Sequence, residues 1–242
     1  MDFYQAIAYR YDHIFPFSPK QKEFVLGNLK DPEAAEILEI GCATGSLTLE
    51  LAKDCRRITG LDIDGTLLSF ARTKALKSKA HVQFIELDML EIAKDLSAGL
   101  FDSICCFGNT LVHLDNKSEM LDFFMSAKTL LKEDAPLHIQ IINYDRILDD
   151  GITSLPTIEN EFISFIRTYE YLEDEHRIAF STILTDKMSG SSSSQMVKLY
   201  PLRRKELEEL LQEAGFMNYT WFGGFDRTPL ERTSVPLIIS AR

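Results

Sequence analysis

The sequence predicts an α/β protein: a doubly wound sheet of seven strands, with a helical cap before it and a small antiparallel sheet inserted late. Three observations lead there. Five short β-type runs alternate with helical patterns between residues 34 and 143, and parallel neighbours in a sheet need crossovers that are usually helical. After Tyr144 the texture changes to period two, the mark of half-buried antiparallel strands. A helical segment and two last strand-like runs, FMNYTWFGGF and VPLIISAR, then complete the sheet.

EILEI (36–40) is the first strand, and a helix follows from about Ser46 to Asp54. RITGLD (57–62) precedes the helix TLLSFARTKALKS, HVQFIEL (81–87) is the third strand and FDSICCF (101–107) the fourth. The segment from Lys117 to Lys132 places Met120, Phe123, Phe124, Ala127, Leu130 and Leu131 at helical spacing, and PLHIQIIN (136–143) makes the fifth strand. Upstream, residues 3–30 form two helix-like stretches broken at Phe15-Pro16-Phe17-Ser18-Pro19, because a residue before proline is pushed out of the helical region. Downstream, EFISFIRTYEYL (161–172), HRIAFSTILTDK (176–187) and QMVKLYPL (195–202) make the inserted sheet, with SGSSSS (189–194) as a hairpin loop. The helix RRKELEELLQEAG ends at Gly215 as a helix followed by a C′ glycine does. The expectation is one domain over 1–242: a cap at 1–33, a core at 34–143, an insert at 144–202, and a helix with two strands at 203–242.

Composition narrows the function. Twenty-six Lys and Arg stand against 37 Asp and Glu, a formal charge of −11, and no run of basic residues offers the counterion-releasing stripe that phosphate backbones require. Nucleic acid is therefore not the expected partner. No stretch nears the roughly 18 apolar residues of a membrane span. The opening MDFYQAIAYRYDHIF has neither a basic nor an apolar leader region, so the expectation is a cytoplasmic protein, monomer or homodimer. Cys42, Cys55, Cys105 and Cys106 lack metal-type spacing and read as reduced thiols.

The informative stretch is Ile37-Leu38-Glu39-Ile40-Gly41-Cys42-Ala43-Thr44-Gly45-Ser46-Leu47, an apolar strand running through a small-residue turn into a helix. Such a turn floors the ligand crevice of an open parallel sheet, and its small residues let a ligand approach the backbone. The second strand ends at Asp62, where an acidic side chain accepts from ribose hydroxyls. G-x-G-x-x-G is absent, which argues against a pyrophosphate ligand and hence against a nicotinamide-dependent oxidoreductase, the rival on this architecture. Glu39, two residues before the first glycine, points instead to a ligand with a cationic end, such as the ammonium of a methionine moiety; a helix-end contact is the other reading.

With its G-x-D after the next strand, this segment resembles the class I S-adenosylmethionine-dependent methyltransferases. Their E/D-x-G-x-G-x-G turn is matched at Glu39, Gly41 and Gly45, with Ala43 in place of the middle glycine. Glu86-Leu87-Asp88-Met89 is similar to their L-D-hydrophobe segment. The resemblance implies a Rossmann-like fold and S-adenosylmethionine as cofactor, leaving as S-adenosylhomocysteine. It also implies an aspartate, Asp88, accepting from the adenine amino group and Met89 packing on the ring, although Asp88 also reads as a helix N-cap. The cofactor contacts it implies are Tyr11, Lys20, Glu39, Gly41, Cys42, Ala43, Gly45, Asp62, Ile63, Asp88, Met89, Phe107 and Gly108.

The run Phe107-Gly108-Asn109-Thr110-Leu111-Val112-His113-Leu114 resembles the L-G-N-S-x-x-H-L segment of the glycine and sarcosine N-methyltransferases, and Asn143-Tyr144-Asp145-Arg146-Ile147-Leu148 resembles their N-Y-D-x-I-L. Those enzymes carry a His-Arg pair before N-Y-D, with the arginine on the substrate carboxylate. This chain has Ile141-Ile142 there, which speaks against glycine as substrate. Asn109, His113 and Tyr144 are the candidate catalytic residues, and His113 reads as a general base, a contact to the cofactor carboxylate or a packed histidine. In the cap, Tyr4, Tyr9, Tyr11 and His13 follow an aromatic pattern similar to such enzymes, with Tyr4 or Tyr11 shielding the sulfonium and Lys20 meeting the cofactor carboxylate, while helical spacing alone reads the same aromatics as ordinary amphipathic core. Phe162, Phe165, Tyr169 and Tyr171 of the insert line either the pocket or a subunit interface. The expected reaction needs no metal and moves a methyl group to a small-molecule acceptor, nitrogen before oxygen. Positioning of the nucleophile contributes about 7–11 kcal/mol to such a displacement. A non-catalytic protein that binds S-adenosylmethionine or S-adenosylhomocysteine is the alternative.

Overall fold

The computed structural model describes residues 7–78 and 81–242. Strands β1 (Glu36–Ile40), β2 (Arg57–Asp62), β3 (Val82–Glu86), β4 (Ser103–Cys106) and β5 (Leu137–Ile142) follow the predicted runs closely. The seven-stranded sheet is completed by β10 (Tyr219–Phe222) and β11 (Pro236–Ala241), in the order β10-β11-β5-β4-β1-β2-β3. All neighbours from β5 to β3 are parallel, while β11 inserts antiparallel to both β5 and β10. Chain order therefore reverses between β1 and β4, and a crevice opens beyond the carboxyl ends of these two strands.

Helices cover both faces, so β1 and β4 are buried along their whole length. Helix Lys117–Leu130 turns the predicted stripe of Met120, Phe123, Phe124, Ala127 and Leu130 into the core, and the Asn116 side chain caps it by accepting from the Glu119 N–H at 3.0 Å. The helix expected from Ser46 to Asp54 stops at Leu51. The C-terminal helix spans Arg204–Glu213, and Gly215 after it sits at φ +87°.

The insert is a four-stranded antiparallel sheet, β6 (Ser154–Glu159), β7 (Ile163–Leu172), β8 (Arg177–Asp186) and β9 (Ser192–Leu199), in that order. Two features differ from expectation. β6 went unread because Pro156 interrupts its pattern, and as an edge strand it tolerates a residue without an N–H. The serine run is only partly loop, for Ser192, Ser193 and Ser194 pair with Thr185, Leu184 and Ile183. An edge strand needs only backbone hydrogen bonds, which serine supplies.

The cap comprises short turns from Ala8 to Ile14 and a helix at Pro19–Leu26. Ile7 and Ile14 bury themselves against Ile163, Phe165 and Leu184 of the insert. Arg10 Nε donates to Asp186 Oδ2 at 2.7 Å, and Asn160 Nδ2 donates to the His13 carbonyl at 2.9 Å. No helix among the described residues is long and apolar enough to cross a membrane. Phe165 is fully buried at this junction. Phe165→Ala is expected to lower unfolding free energy in urea by about 3–5 kcal/mol; a loss below about 1 kcal/mol would mean that cap and insert do not depend on this contact.

Candidate functional site

Two adjoining cavities, of about 460 and 420 Å³, lie at the carboxyl ends of the parallel strands. Both are lined by Tyr11, Gly41, Ala43, Gly108 and His113. Asp62, Ile63, Leu67, Asp88, Met89 and Leu90 surround the smaller one. Glu39, Cys42, Phe107 and Asn109 line the larger, which the cap closes with Ile14, Phe15 and Phe17 and the insert with Leu155, Tyr169 and Phe180.

The turn after β1 is held by its N–H groups. Those of Gly41 and Cys42 donate to the Leu61 carbonyl at 2.8 and 2.9 Å, and that of Ala43 donates to Asp62 Oδ2 at 2.7 Å. Gly41, Ala43 and Gly45 consequently take φ of +71°, +48° and +73°. The glycines are required by neighbouring side chains more than by a ligand: a Cβ on Gly41 would come within 2.5 Å of Thr110 Oγ1, and one on Gly45 within 2.6 Å of the Phe84 ring. Gly45 itself lines neither cavity.

Asp62 also accepts from the Asp64 N–H at 2.9 Å. Burial raises its pKa, against the pull of these backbone donors. Each oxygen keeps a lone pair for a hydroxyl in the smaller cavity. Glu39 is buried, accepts from Thr48 Oγ1 at 2.5 Å, and is pushed up to about 8, first by burial and further by the charge of Asp62. No cation of the chain pairs with it among the described residues. A buried carboxyl that lines a cavity without a cationic partner fits the ammonium end of S-adenosylmethionine, as Asp62 fits its ribose. Asp88 answers to both readings: Oδ1 caps the turn Met89–Glu91 by accepting from the Leu90 N–H at 2.9 Å, and the residue lines the smaller cavity beside Met89.

On the other side of the crevice, Asn109 sits at φ +69° and laces β4 to β5. Its Oδ1 accepts from the Ile142 N–H at 3.0 Å, and its Nδ2 donates to the Tyr144 hydroxyl at 3.0 Å. Tyr144 is fully buried, holds Asn109 through its hydroxyl and lines neither cavity. Lys20 likewise lines neither cavity. Its ammonium pairs with Asp226 Oδ2 at 2.9 Å, on the outside of the cap, because the helix Pro19–Leu26 turns Phe24 and Val25 inward instead. Tyr4 lies outside the described residues. Burial raises the pKa of Cys42 well above its usual value, leaving an unreactive thiol.

Several lining residues escaped the sequence reading. Arg167 projects into the larger cavity from β7, at the same parity as Phe165 and Tyr169, and that parity was the available signal. Of the insert aromatics singled out, Tyr169 reaches the cavity, Phe162 packs on His13 with ring centroids 4.2 Å apart, and Tyr171 is 42% exposed. Asp12 was unforeseen as the tie between cap and turn: it accepts from Thr44 Oγ1 at 2.5 Å and Ser46 Oγ at 2.9 Å and pairs with Lys74 at 2.5 Å.

Residues 37–134 match the family model described as a methyltransferase domain. A putative methyltransferase of Geobacillus sp. (strain WCH70) is 30% identical over 203 residues, 72% of this chain and 81% of that protein. The glycine/sarcosine N-methyltransferase of Aphanothece halophytica is 25% identical over 87% of this chain and 77% of its own. Among solved structures, an S-adenosylmethionine-dependent methyltransferase from Clostridium acetobutylicum superposes with a TM-score of 0.80 at 14% identity, covering 100% of this chain and 99% of that one.

The buried carboxyls set two expectations, both readable by calorimetry with S-adenosylhomocysteine. Asp62→Ala weakens binding at least about tenfold, the loss that accompanies a charged hydrogen-bond acceptor. Below about pH 8 the Glu39 carboxyl of the free protein is neutral, and facing an ammonium it ionises and releases its proton. Affinity therefore climbs between about pH 6 and pH 8, by at most about tenfold per unit, then levels. Without ligand, stability declines over the range from the unfolded pKa toward 8, because the fold favours the protonated form. Glu39→Gln flattens both profiles, and a flat affinity profile in the unaltered protein would contradict the assignment.

Proposed function

The chain belongs to the class I S-adenosylmethionine-dependent methyltransferases, and on that premise we propose that it methylates nitrogen on a small-molecule acceptor held in the larger cavity. The observation that carries this reading is the enclosure of that cavity by cap and insert directly beside the cofactor crevice, with Gly108 and His113 common to both. Its volume of about 460 Å³ is of the size that small ligands occupy. The likeness to a glycine/sarcosine N-methyltransferase supports nitrogen as the acceptor atom.

S-adenosylmethionine supplies an already activated methyl group, so the chain's work is to bind, orient and exclude water. Asp62 and Asp88 hold the nucleoside end in the smaller cavity, and Glu39 holds the ammonium. Asn109, pinned by Ile142 and Tyr144, keeps one Nδ2 hydrogen to orient the acceptor at the mouth of the cofactor crevice. His113, at the boundary of the cavities, takes the proton that an amine must shed before it attacks. Phe15, Phe17 and Phe107 keep water from the methyl path.

The test is transfer of labelled methyl from S-adenosylmethionine across a panel of primary amines, secondary amines and alcohols. Label is expected in an amine, with one S-adenosylhomocysteine released per methyl. His113→Ala and Asn109→Ala are expected to lower turnover by about 10²–10⁴, with S-adenosylhomocysteine affinity kept within about threefold. Label entering only protein or nucleic acid, or unchanged turnover in both variants, would overturn the reading.

A further inference from the structure

Strand β7 turns Ile163, Phe165, Arg167 and Tyr169 toward the cap and the larger cavity, and three of the four are buried, as the inner face of a sheet demands. Arg167 breaks the rule. In register it faces Leu155 on β6 and the buried Thr182 on β8, so no acid stands beside it across the sheet. One Nη donates to the Pro156 carbonyl at 2.6 Å, while Nε is buried with no partner among the described residues. The hydroxyl of Tyr169, two residues along the same face, is also buried and unpartnered among them. The Tyr169 ring is stacked on Phe180 with centroids 5.3 Å apart, which fixes where that hydroxyl lies.

A partly buried guanidinium without a counter-ion is costly, and a chain with 37 acidic residues has no shortage of carboxylates to give it one. Burial lowers the pKa of Arg167 and pushes Tyr169 up to about 12, so the two groups stand as cation and neutral donor. The only carboxyl lining the cavity, among the described residues, is Glu39, and it is committed to the cofactor end. Two orphaned donors on adjacent inward positions, one of them a planar fork, make a receptor for an oxyanion.

We propose, on the reading of the larger cavity as the acceptor site, that the acceptor carries a carboxylate or phosphate, which Arg167 receives while the Tyr169 hydroxyl donates to it. Arg167 is thus the residue that selects anionic acceptors over neutral ones of the same shape, and the apolar surround of Leu155, Phe180 and Leu199 accommodates the acceptor's body.

The test uses protein saturated with S-adenosylhomocysteine and three probes, titrated by calorimetry: benzoate, its neutral isostere benzamide, and phenyl phosphate. Benzoate or phenyl phosphate is expected to bind at least about tenfold more tightly than benzamide, and the tighter of the two identifies the anion. Arg167→Gln is expected to abolish the preference, Arg167→Lys to keep part of it, and Tyr169→Phe to weaken it about threefold, all with S-adenosylhomocysteine affinity unchanged. Equal binding of benzoate, phenyl phosphate and benzamide, no binding of either anion, or a preference that survives Arg167→Gln would overturn the proposal. No turnover is read, so the two readings fail separately: a protein that shows the preference yet methylates nothing supports the anion site and contradicts only the catalytic one.

Discussion

The carboxylate of Asp62 is the joint on which the site depends. It ends β2, and through Ala43 and Asp64 it ties the turn after β1 to the turn after its own strand. Parallel pairing of Ile40 with Leu61 sets the register that makes this possible. Three consecutive N–H groups, from Gly41 to Ala43, are then drawn to the end of β2, and the backbone follows them into the left-handed region. Ala43 takes that conformation in spite of its methyl group, at a cost of roughly 1–2 kcal/mol, which a hydrogen bond to a charged acceptor, worth about 1.5–3 kcal/mol, can offset. The crevice floor and the proposed ribose site are therefore one construction.

Around this joint, the cap and the insert enclose the proposed acceptor chamber by different means. The cap reaches the turn through Asp12 and the insert through Arg10 and Asp186. Its apolar side rests on Phe165 and Leu184, so the same strand face that supports the cap also presents Arg167 and Tyr169 to the chamber. On the proposed function, closure over the cofactor and recognition of the acceptor are built into one sheet face.

Much of this was legible in the chain. Alternation of apolar runs with helical stripes located β1 to β5 within a residue or two, because strands buried on both faces leave nearly continuous apolar runs. Glu39, Asp62 and Asp88 were singled out because each lies at or just beyond the carboxyl end of a strand, where chemistry of this fold gathers. What stayed hidden depended on contacts remote in sequence. Nothing near Lys20 announces Asp226, and nothing near Tyr144 announces that Asn109 stands between it and the cavity. Nothing near Gly41 announces that Thr110, 69 residues on, packs where its Cβ would stand. Arg167 shares the parity of Phe165 and Tyr169, and the placement of the insert over the crevice turns that parity inward.

The most direct test is a crystal structure grown with S-adenosylhomocysteine. The account predicts ribose hydroxyls on Asp62, adenine between Asp88 and Leu90, the ammonium toward Glu39, and the sulfur facing a chamber bounded by Asn109, His113 and Arg167. A ligand bound with its nucleoside in the larger cavity, or with its ammonium away from Glu39, would contradict it.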